Sequence, residues 1–350
     1  MTSPALEPET IPATDAPAAP QPIPAAAPDL IDRIPSETTP GERRLLYRCF
    51  RDDWAGEGHV VEIGPFLGGT TRAMALGMLA NPGLQPDVRL HTFDRFASYY
   101  DPAQLRATVA PLVERGDLAA AVADQLCGKG DFLALFHALH GPHAYHGLIE
   151  AHNSPLPDRP DEIAAATALD RLADETALGA LFIDGCKSWA STQYAMSFLL
   201  PRTRLGAPVI FQDFGWYTCF WISSFTHALA DVLEFETAAD ATYVFRLRRA
   251  VSAADVRRRF AATPQAMGRA FFRNAASRLL ESSRARGDLR GELIAQLHHI
   301  AALATLDRRA DAAALLRSLD VRRYAAFVGM IRGCIQSPTY RPGGEQIRWK

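Results

Sequence analysis

Two acidic residues each follow a short apolar run in the middle of the chain, and a lysine lies close behind the first of them. The run Ala180–Ile183 leads directly into Asp184, Lys187 comes three residues later, and Asp213 closely follows the run Ala207–Phe211. Carboxylates at the ends of neighbouring parallel strands could hold Mg²⁺, which prefers hard oxygen ligands. A hydroxyl bound to such an ion loses its proton more easily, and a lysine of lowered pKa could accept that proton.

The lysine at position 187 stands out against the composition of the chain. There are three lysines and 34 arginines in the sequence. Lysine shifts its pKa readily when it is buried, whereas arginine stays charged, so an internal lysine is the better candidate for a base. The alternative is an ordinary surface lysine on the loop before a helix.

A glycine-rich stretch, HVVEIGPFLGGTTR from His59 to Arg72, is predicted to lie beside these acids. Its β-branched run stops at glycines and is followed by hydroxyl residues and a second apolar run, which predicts a strand, a tight loop and a helix. Glycines let the backbone approach a ligand closely, and the start of a helix offers unpaired N–H groups. Such a loop binds a nucleotide-like or carboxylate-bearing ligand above the end of a parallel strand, although an ordinary turn is the alternative.

The spacing of the glycines excludes two common nucleotide-binding patterns. The dinucleotide fingerprint G-x-G-x-x-G is absent, and no Gly-Lys-Ser/Thr follows the loop. The next alternating run, Arg89–Phe96, predicts a second strand that carries Asp94 near its end. An acid at that place can accept hydrogen bonds from both ribose hydroxyls of a nucleoside, and a solvated turn is the alternative.

The remaining pattern, E-x-G-x-x-x-G-G-T-T, resembles the first motif of class I S-adenosylmethionine-dependent methyltransferases. The segments FIDG and DF resemble the macrocin-type sugar O-methyltransferases, and the lysine resembles the base of metal-dependent, catechol-type enzymes. The resemblance covers roughly residues 41–250. It implies a catalytic pair, Lys187 and Asp184, and two metal ligands, Asp184 and Asp213. The cofactor-binding residues that it implies are Glu62, Gly64, Phe66, Gly68, Gly69, Thr70 and Asp94.

The chain departs from the macrocin-type motif directly after FIDG. That motif continues with an acid and a histidine, whereas this chain has Cys186 and Lys187. An Asp or Asn is also expected near the second acid, where Gln212 and Phe214 stand.

The predicted architecture is an α/β fold with a helical appendage. Residues 1–40, rich in Pro and Ala, are predicted to be a disordered tail. Residues 41–250 are predicted to form a doubly wound, seven-stranded, mostly parallel Rossmann-like methyltransferase domain, with a helix over Asp161–Ala173 and largely helical structure over residues 97–144. Residues 251–350 are predicted to form four or five amphipathic helices, through which the chain could form a homo-oligomer.

The composition of the chain indicates which binding partners and which cellular compartment to expect. The net charge of −2 gives no overall attraction to nucleic acid, and no apolar run reaches the roughly 18 residues that span a bilayer. The five scattered cysteines and the absence of a secretion signal favour reduced thiols in a cytoplasmic protein.

The expected activity is methyl transfer from S-adenosylmethionine to a hydroxyl of a small molecule or sugar, with Mg²⁺ as a candidate second cofactor. The alternative is a non-catalytic cofactor- or glycan-binding protein on the same fold. A hydroxylase-like enzyme on this fold is a further alternative. Several aromatic residues behind Asp213 belong either to the core or to the wall of a substrate pocket.

Overall fold

A computed structural model describes five parts of the chain. They are residues 27–97, 100–130, 132–172, 177–341 and 345–349.

A seven-stranded sheet forms the centre of the molecule. Its strands, in chain order, are β1 (His59–Ile63), β2 (Leu90–Asp94), β3 (Ile149–Asn153), β4 (Leu178–Ile183), β5 (Pro208–Phe211), β6 (Leu233–Ala239) and β7 (Thr242–Leu247). The spatial order is β3-β2-β1-β4-β5-β7-β6. Strands β1 to β5 pair in parallel, and β7 pairs antiparallel with both β5 and β6. The prediction of a seven-stranded, mostly parallel sheet is confirmed.

Alternation along the central strands explains why both faces of the sheet are covered. Val61 and Ile63 of β1 point into one core, and Val60 points into the other. The same alternation holds in β4, where Leu181 and Phe182 belong to opposite cores. Side chains of a strand point to alternate faces, so this run of apolar residues needs a layer of helices on each side.

Thirteen helices are described around the sheet. They are α1 (Ala27–Ile31), α2 (Pro40–Arg48), α3 (Gly69–Ala80), α4 (Pro102–Glu114), α5 (Ala120–Lys129), α6 (Phe132–His140), α7 (Trp189–Leu199), α8 (Phe220–Ala228), α9 (Ala253–Arg259), α10 (Pro264–Ala285), α11 (Leu289–Thr305), α12 (Arg309–Arg317) and α13 (Val328–Gln336). A short hairpin of β8 (Thr339–Tyr340) and β9 (Gln346–Ile347) follows α13. Within the described residues, no helix is long and apolar enough to cross a membrane.

Helices α4, α5 and α6 form a cover over the loop between β1 and α3. Their apolar faces enclose a core of their own that includes Leu67 of this loop and Phe96, two residues after β2. This confirms the helical prediction for residues 97–144, apart from positions 98, 99 and 131, which lie outside the described residues.

The C-terminal helices pack directly against the sheet domain. Helices α10 and α11 contact α8, and the buried His298 of α11 bonds Ser223 of α8 at 2.7 Å. Trp189 at the start of α7 stacks on Phe260, with ring centroids 3.8 Å apart. The prediction of four or five helices in this part is confirmed by α9 to α13, and they share apolar contacts with the domain that precedes them.

Two local predictions need correction. The predicted disordered tail, residues 1–40, lies outside the described residues as far as residue 26, but Ile31 and Ile34 beyond it are buried, so order begins before residue 41. The predicted helix over Asp161–Ala173 is only a short 3-10 turn, Pro160–Ala165. None of the residues of this turn is buried, whereas Leu169 and Leu172 beyond it reach the core through turns and not through a helix.

Candidate functional site

The loops after β1 and β4 touch at the carboxyl end of the sheet. The amides of Asp184 and Gly185 both donate to the carbonyl oxygen of Ile63, each at 2.8 Å. Gly64 has φ of 88°, and a Cβ atom there would lie 2.6 Å from the amide nitrogen of Gly185. Only glycine fits both the backbone conformation and this close approach. Gly64 therefore brings the predicted cofactor loop against the loop that carries Asp184.

Other residues of the predicted cofactor loop lie behind it. Glu62 is fully buried, and its two carboxylate oxygens accept hydrogen bonds from the hydroxyls of Thr70 and Thr71, both at 2.6 Å. Burial raises the pKa of Glu62 to about 7, although the threonine hydroxyls oppose this shift. Glu62 and Thr70 thus join the end of β1 to the first turn of α3 and hold the loop between them.

Gly68 and Gly69 make room for other parts of the protein. A Cβ atom on Gly68, which has φ of 89°, would lie 1.9 Å from Nε2 of His140, and one on Gly69 would lie 2.5 Å from Cβ of Ser36. The ring of Phe66 contacts the aromatic rings of the helical cover. Gly68 and Phe66 therefore connect the loop to its cover, and Gly69 lies against the segment between α1 and α2.

Asp94 lies at the end of β2 and lines a cleft above the sheet. Its side chain is almost completely buried, and Oδ1 accepts a hydrogen bond from the amide of Phe96 at 3.0 Å. Ser154 follows β3 and lines the same cleft, with its amide 2.6 Å from the carbonyl oxygen of Asp94.

A lysine lies between the two predicted carboxylates. Nζ of Lys187 donates to Oδ1 of Asp184 and to Oδ2 of Asp213, both at 2.6 Å. The side chain of Lys187 is 53% exposed, whereas those of Asp184 and Asp213 are 19% and 22% exposed. Asp213 has φ of 62°, a conformation that is uncommon for residues other than glycine and tends to occur at functional sites. The structure therefore brings these three predicted residues together.

The two carboxylates fix the charge of the lysine. Burial opposes this charge, but the carboxylates outweigh burial and raise the pKa of Lys187 well above its usual value. Burial also raises the pKa of Asp184 to about 6, while Lys187 opposes that shift and Asp213 adds to it. Lys187 is therefore an ammonium ion at neutral pH, and it donates protons to its hydrogen bonds instead of accepting one.

A divalent cation fits this arrangement poorly. The position between the two carboxylates, where Mg²⁺ would lie, is taken by the ammonium group of Lys187. Mg²⁺ prefers six oxygen ligands in near-ideal octahedral geometry, and an ammonium beside it would be repelled. Mg²⁺ binding by Asp184 and Asp213 stays a prediction, and no step proposed below depends on it.

The cleft has a volume of about 510 Å³, in the range of small-molecule sites. Gly64, Asp94, Lys187 and Asp213 line it, whereas Glu62, Phe66, Gly68, Gly69 and Thr70 are not among its lining residues. Its other lining residues are Ile63, Phe93, Arg95, Ser154, Pro155, Leu156, Asp158, Gly185, Trp216, Thr218, Cys219, Trp221, Tyr340 and Arg341.

Two lining residues come from the far end of the chain and were not predicted. Tyr340 and Arg341 reach the cleft because Oγ1 of Thr339 donates to the carbonyl oxygen of Thr218 at 2.8 Å. Nothing in the local sequence indicates this contact, since it joins segments more than 100 residues apart. Of the aromatic residues behind Asp213, Phe214 is buried, whereas Trp216 is 42% exposed and lines the cleft. Both interpretations of the aromatic cluster therefore hold, for different members.

Comparisons with known proteins give only distant similarities. No family model matches the chain, and no curated protein matches it. The O-methyltransferase NovP is 15% identical, with 61% of this chain and 83% of that chain covered and a TM-score of 0.40. CalS11, a calicheamicin methyltransferase, is 16% identical, with 58% and 76% covered and a TM-score of 0.35. An O-methyltransferase from Bacillus cereus in complex with SAH is 13% identical, with 69% and 79% covered and a TM-score of 0.30. Because these TM-scores lie below 0.5, the likeness lends no weight to the function proposed below.

Replacing Glu62 with glutamine should change how stability depends on pH. The pKa of Glu62 is raised from 4.5 to about 7 in the folded protein. The stability that this carboxyl contributes is therefore complete below pH 4.5 and is lost as the pH rises through 7. Glutamine cannot ionise, so Glu62→Gln should not show this loss. Between pH 4.5 and 8 its free energy of unfolding should therefore rise relative to that of the wild type by up to about 3 kcal/mol.

Urea denaturation of both proteins at several pH values measures this difference. Glu57→Gln, which changes a half-exposed carboxyl just before β1, is the control and should follow the wild type. If the curves of the wild type and Glu62→Gln stay parallel over this pH range, the assignment of a raised pKa to Glu62 is wrong.

Proposed function

We propose that the chain is an S-adenosylmethionine-dependent methyltransferase that methylates a hydroxyl group of a small molecule or sugar. The observation that carries this proposal is the cleft at the carboxyl ends of the parallel strands. We divide its lining by role into a first part, Gly64 and the buried Asp94, and a second part, Lys187 with Asp213. Ligands of open α/β sheets bind in such crevices, outside the carboxyl ends of the strands.

The first part of the lining suits the nucleoside of the cofactor. Asp94 is buried and lines the cleft, and in this proposal its carboxylate accepts hydrogen bonds from ribose hydroxyls. Gly64 has no side chain, so the backbone can approach the ligand closely at the loop after β1. Glu62, Gly68, Gly69 and Thr70 act on the cofactor through the shape of this loop, and Phe66 through its cover. When bound, S-adenosylmethionine supplies an electrophilic methyl group.

The second part of the lining suits an acceptor hydroxyl. As the methyl carbon leaves sulfur and bonds to the acceptor oxygen, the hydroxyl proton passes to a carboxylate oxygen of Asp213 and then to solvent. Lys187 holds Asp213 in place and balances the charge of the two carboxylates, while its third N–H is left to orient the acceptor. Lys187 was predicted as the base, but its raised pKa favours Asp213 for that role.

The exposed ring of Trp216 gives the acceptor a surface to lie on. It is 42% exposed in the same cleft, and an aromatic face of this kind stacks against a sugar or another ring. This supports a sugar or another small hydroxylated molecule as the acceptor.

Asp94→Asn should weaken cofactor binding. The change removes the charge from the hydrogen bonds to the ribose, which are worth about 1.5–3 kcal/mol, so the Kd for S-adenosylmethionine should rise about 10- to 100-fold. Calorimetric titration measures this in buffer containing EDTA. The matched control is Asp87→Asn, which changes an exposed carboxylate just before the first residue of β2. This variant should bind as the wild type does. Failure of the wild-type protein to bind S-adenosylmethionine would remove the methyltransferase proposal.

Asp213→Asn should abolish turnover while leaving cofactor binding intact. Loss of a general base typically slows a reaction about 10²- to 10⁴-fold. Lys187→Met should also be slow, with exposed Lys129→Met as its control. The measurement is release of S-adenosylhomocysteine in the presence of a panel of sugars and phenols.

The pH profile distinguishes the two candidate bases. Burial raises the pKa of Asp184 to about 6, and protonation of Asp184 would weaken its hold on the lysine that positions Asp213, so the rate should rise between pH 5 and 7 and then stay level. A rate that keeps rising above pH 9 would instead assign the base to Lys187. Cofactor binding without turnover, unaffected by Asp213→Asn, would favour the non-catalytic binding protein.

A further inference from the structure

Three side chains with metal-binding atoms converge on β2 and β3, away from the proposed reaction centre. His91 of β2 pairs with Glu150 of β3, and His152 lies two residues further along β3 on the same face. Nδ1 of His91 lies 3.2 Å from Nε2 of His152 and 3.3 Å from Oε2 of Glu150. One ligand atom from each of the three residues lies within 4.8 Å of the others.

These separations match those of the ligands around one metal ion. Zn²⁺ binds histidine nitrogens and carboxylate oxygens at about 2.0–2.2 Å with tetrahedral geometry, which places its ligand atoms roughly 3.4 Å apart. A small movement of the side chains would therefore bring all three ligand atoms to bonding distance of a common ion. Two histidines and one carboxylate leave the fourth position to water. Mg²⁺ is a poor match because it prefers oxygen ligands.

The surroundings hold the histidines in place and leave a path to solvent. His91 and His152 are buried, and the ring of His152 stacks on Phe93 with centroids 4.5 Å apart. The edge of the His59 ring packs against His91 at 5.1 Å. The side chain of Glu150 is 49% exposed, so an ion can enter from that side. The site thus has rigid imidazole ligands and one accessible carboxylate.

We propose that His91, Glu150 and His152 form a binding site for one Zn²⁺ ion. In the described part of the chain this is the one group of at least three such side chains that meets, and the five cysteines are buried elsewhere without pairing. The ion would link the edge strand β3 to β2. Phe93 lies between this site and the cleft, because it stacks on His152 and also lines the cleft beside Asp94. The site therefore stiffens the strand ends that carry Asp94 and Ser154.

The test uses the full chain, without a polyhistidine tag, and Zn²⁺ or Co²⁺ alone as the probe. Equilibrium dialysis against Zn²⁺ gives the number of ions bound, and the visible absorption of bound Co²⁺ reports tetrahedral nitrogen and oxygen ligands. We expect one ion per chain and a rise in Tm on binding. Because Glu150 is half-exposed, Glu150→Gln should fold normally and should bind Zn²⁺ at least about 10-fold more weakly.

Two further variants locate the ion. His91→Gln should lose the Co²⁺ absorption, whereas exposed His137→Gln and the reaction-centre variant Asp184→Asn should keep it. Circular dichroism confirms that each variant is folded. Absence of stoichiometric Zn²⁺ binding, or binding that Glu150→Gln leaves unchanged, would overturn the proposal and leave a hydrogen-bonded histidine pair. Neither outcome depends on methyl transfer, so this test and those of the proposed function can fail separately.

Discussion

The cleft depends on one ion-pair arrangement, the ammonium group of Lys187 held between the carboxylates of Asp184 and Asp213. These acids follow β4 and β5, which are adjacent parallel strands. Two carboxylates brought this close would repel each other, and the lysine removes that cost while using two of its three N–H groups. Because one side of the lysine remains exposed, the same contact that stabilises the strand ends also presents a charged group to a ligand.

Other parts of the fold pack around this ion pair and form the cleft beside it. Gly64 lets the loop after β1 approach the loop that carries Asp184, and the buried hydrogen bonds of Glu62 hold that loop to α3. The helical cover packs over the loop, and Tyr340 of the C-terminal hairpin and the adjacent Arg341 add to the lining of the cleft. The C-terminal helices are thus connected to the cleft through packing as well as through the chain.

Local patterns predicted the sheet and several site residues because strand periodicity and strand ends are local properties. Asp94, Asp184 and Asp213 each end or closely follow an apolar run, so their common edge of the sheet followed from the order of the strands. The sequence could not show that Lys187 bridges two acids, since that depends on the distance between neighbouring strands. It also could not show that Gly68 accommodates His140, or that β8 reaches Thr218, because both contacts are long-range. The helix predicted at Asp161 is wrong because the turn found there buries none of its own residues, and Leu169 and Leu172 reach the core outside a helix.

The charge state of Lys187, which we infer to be an ammonium ion held by two carboxylates, can be measured directly. Only three lysines are present, so NMR of protein labelled at the lysine side chains gives few signals, and Lys187→Arg identifies the one from Lys187. This signal should stay that of the charged form through pH 10.4, the ordinary pKa of lysine, and should not change when Mg²⁺ is added. Deprotonation of Lys187 below pH 9, or a shift of its signal caused by stoichiometric Mg²⁺, would show that the carboxylates do not hold Lys187 as an ammonium ion. Either result would favour Lys187 as the base of a metal-assisted reaction.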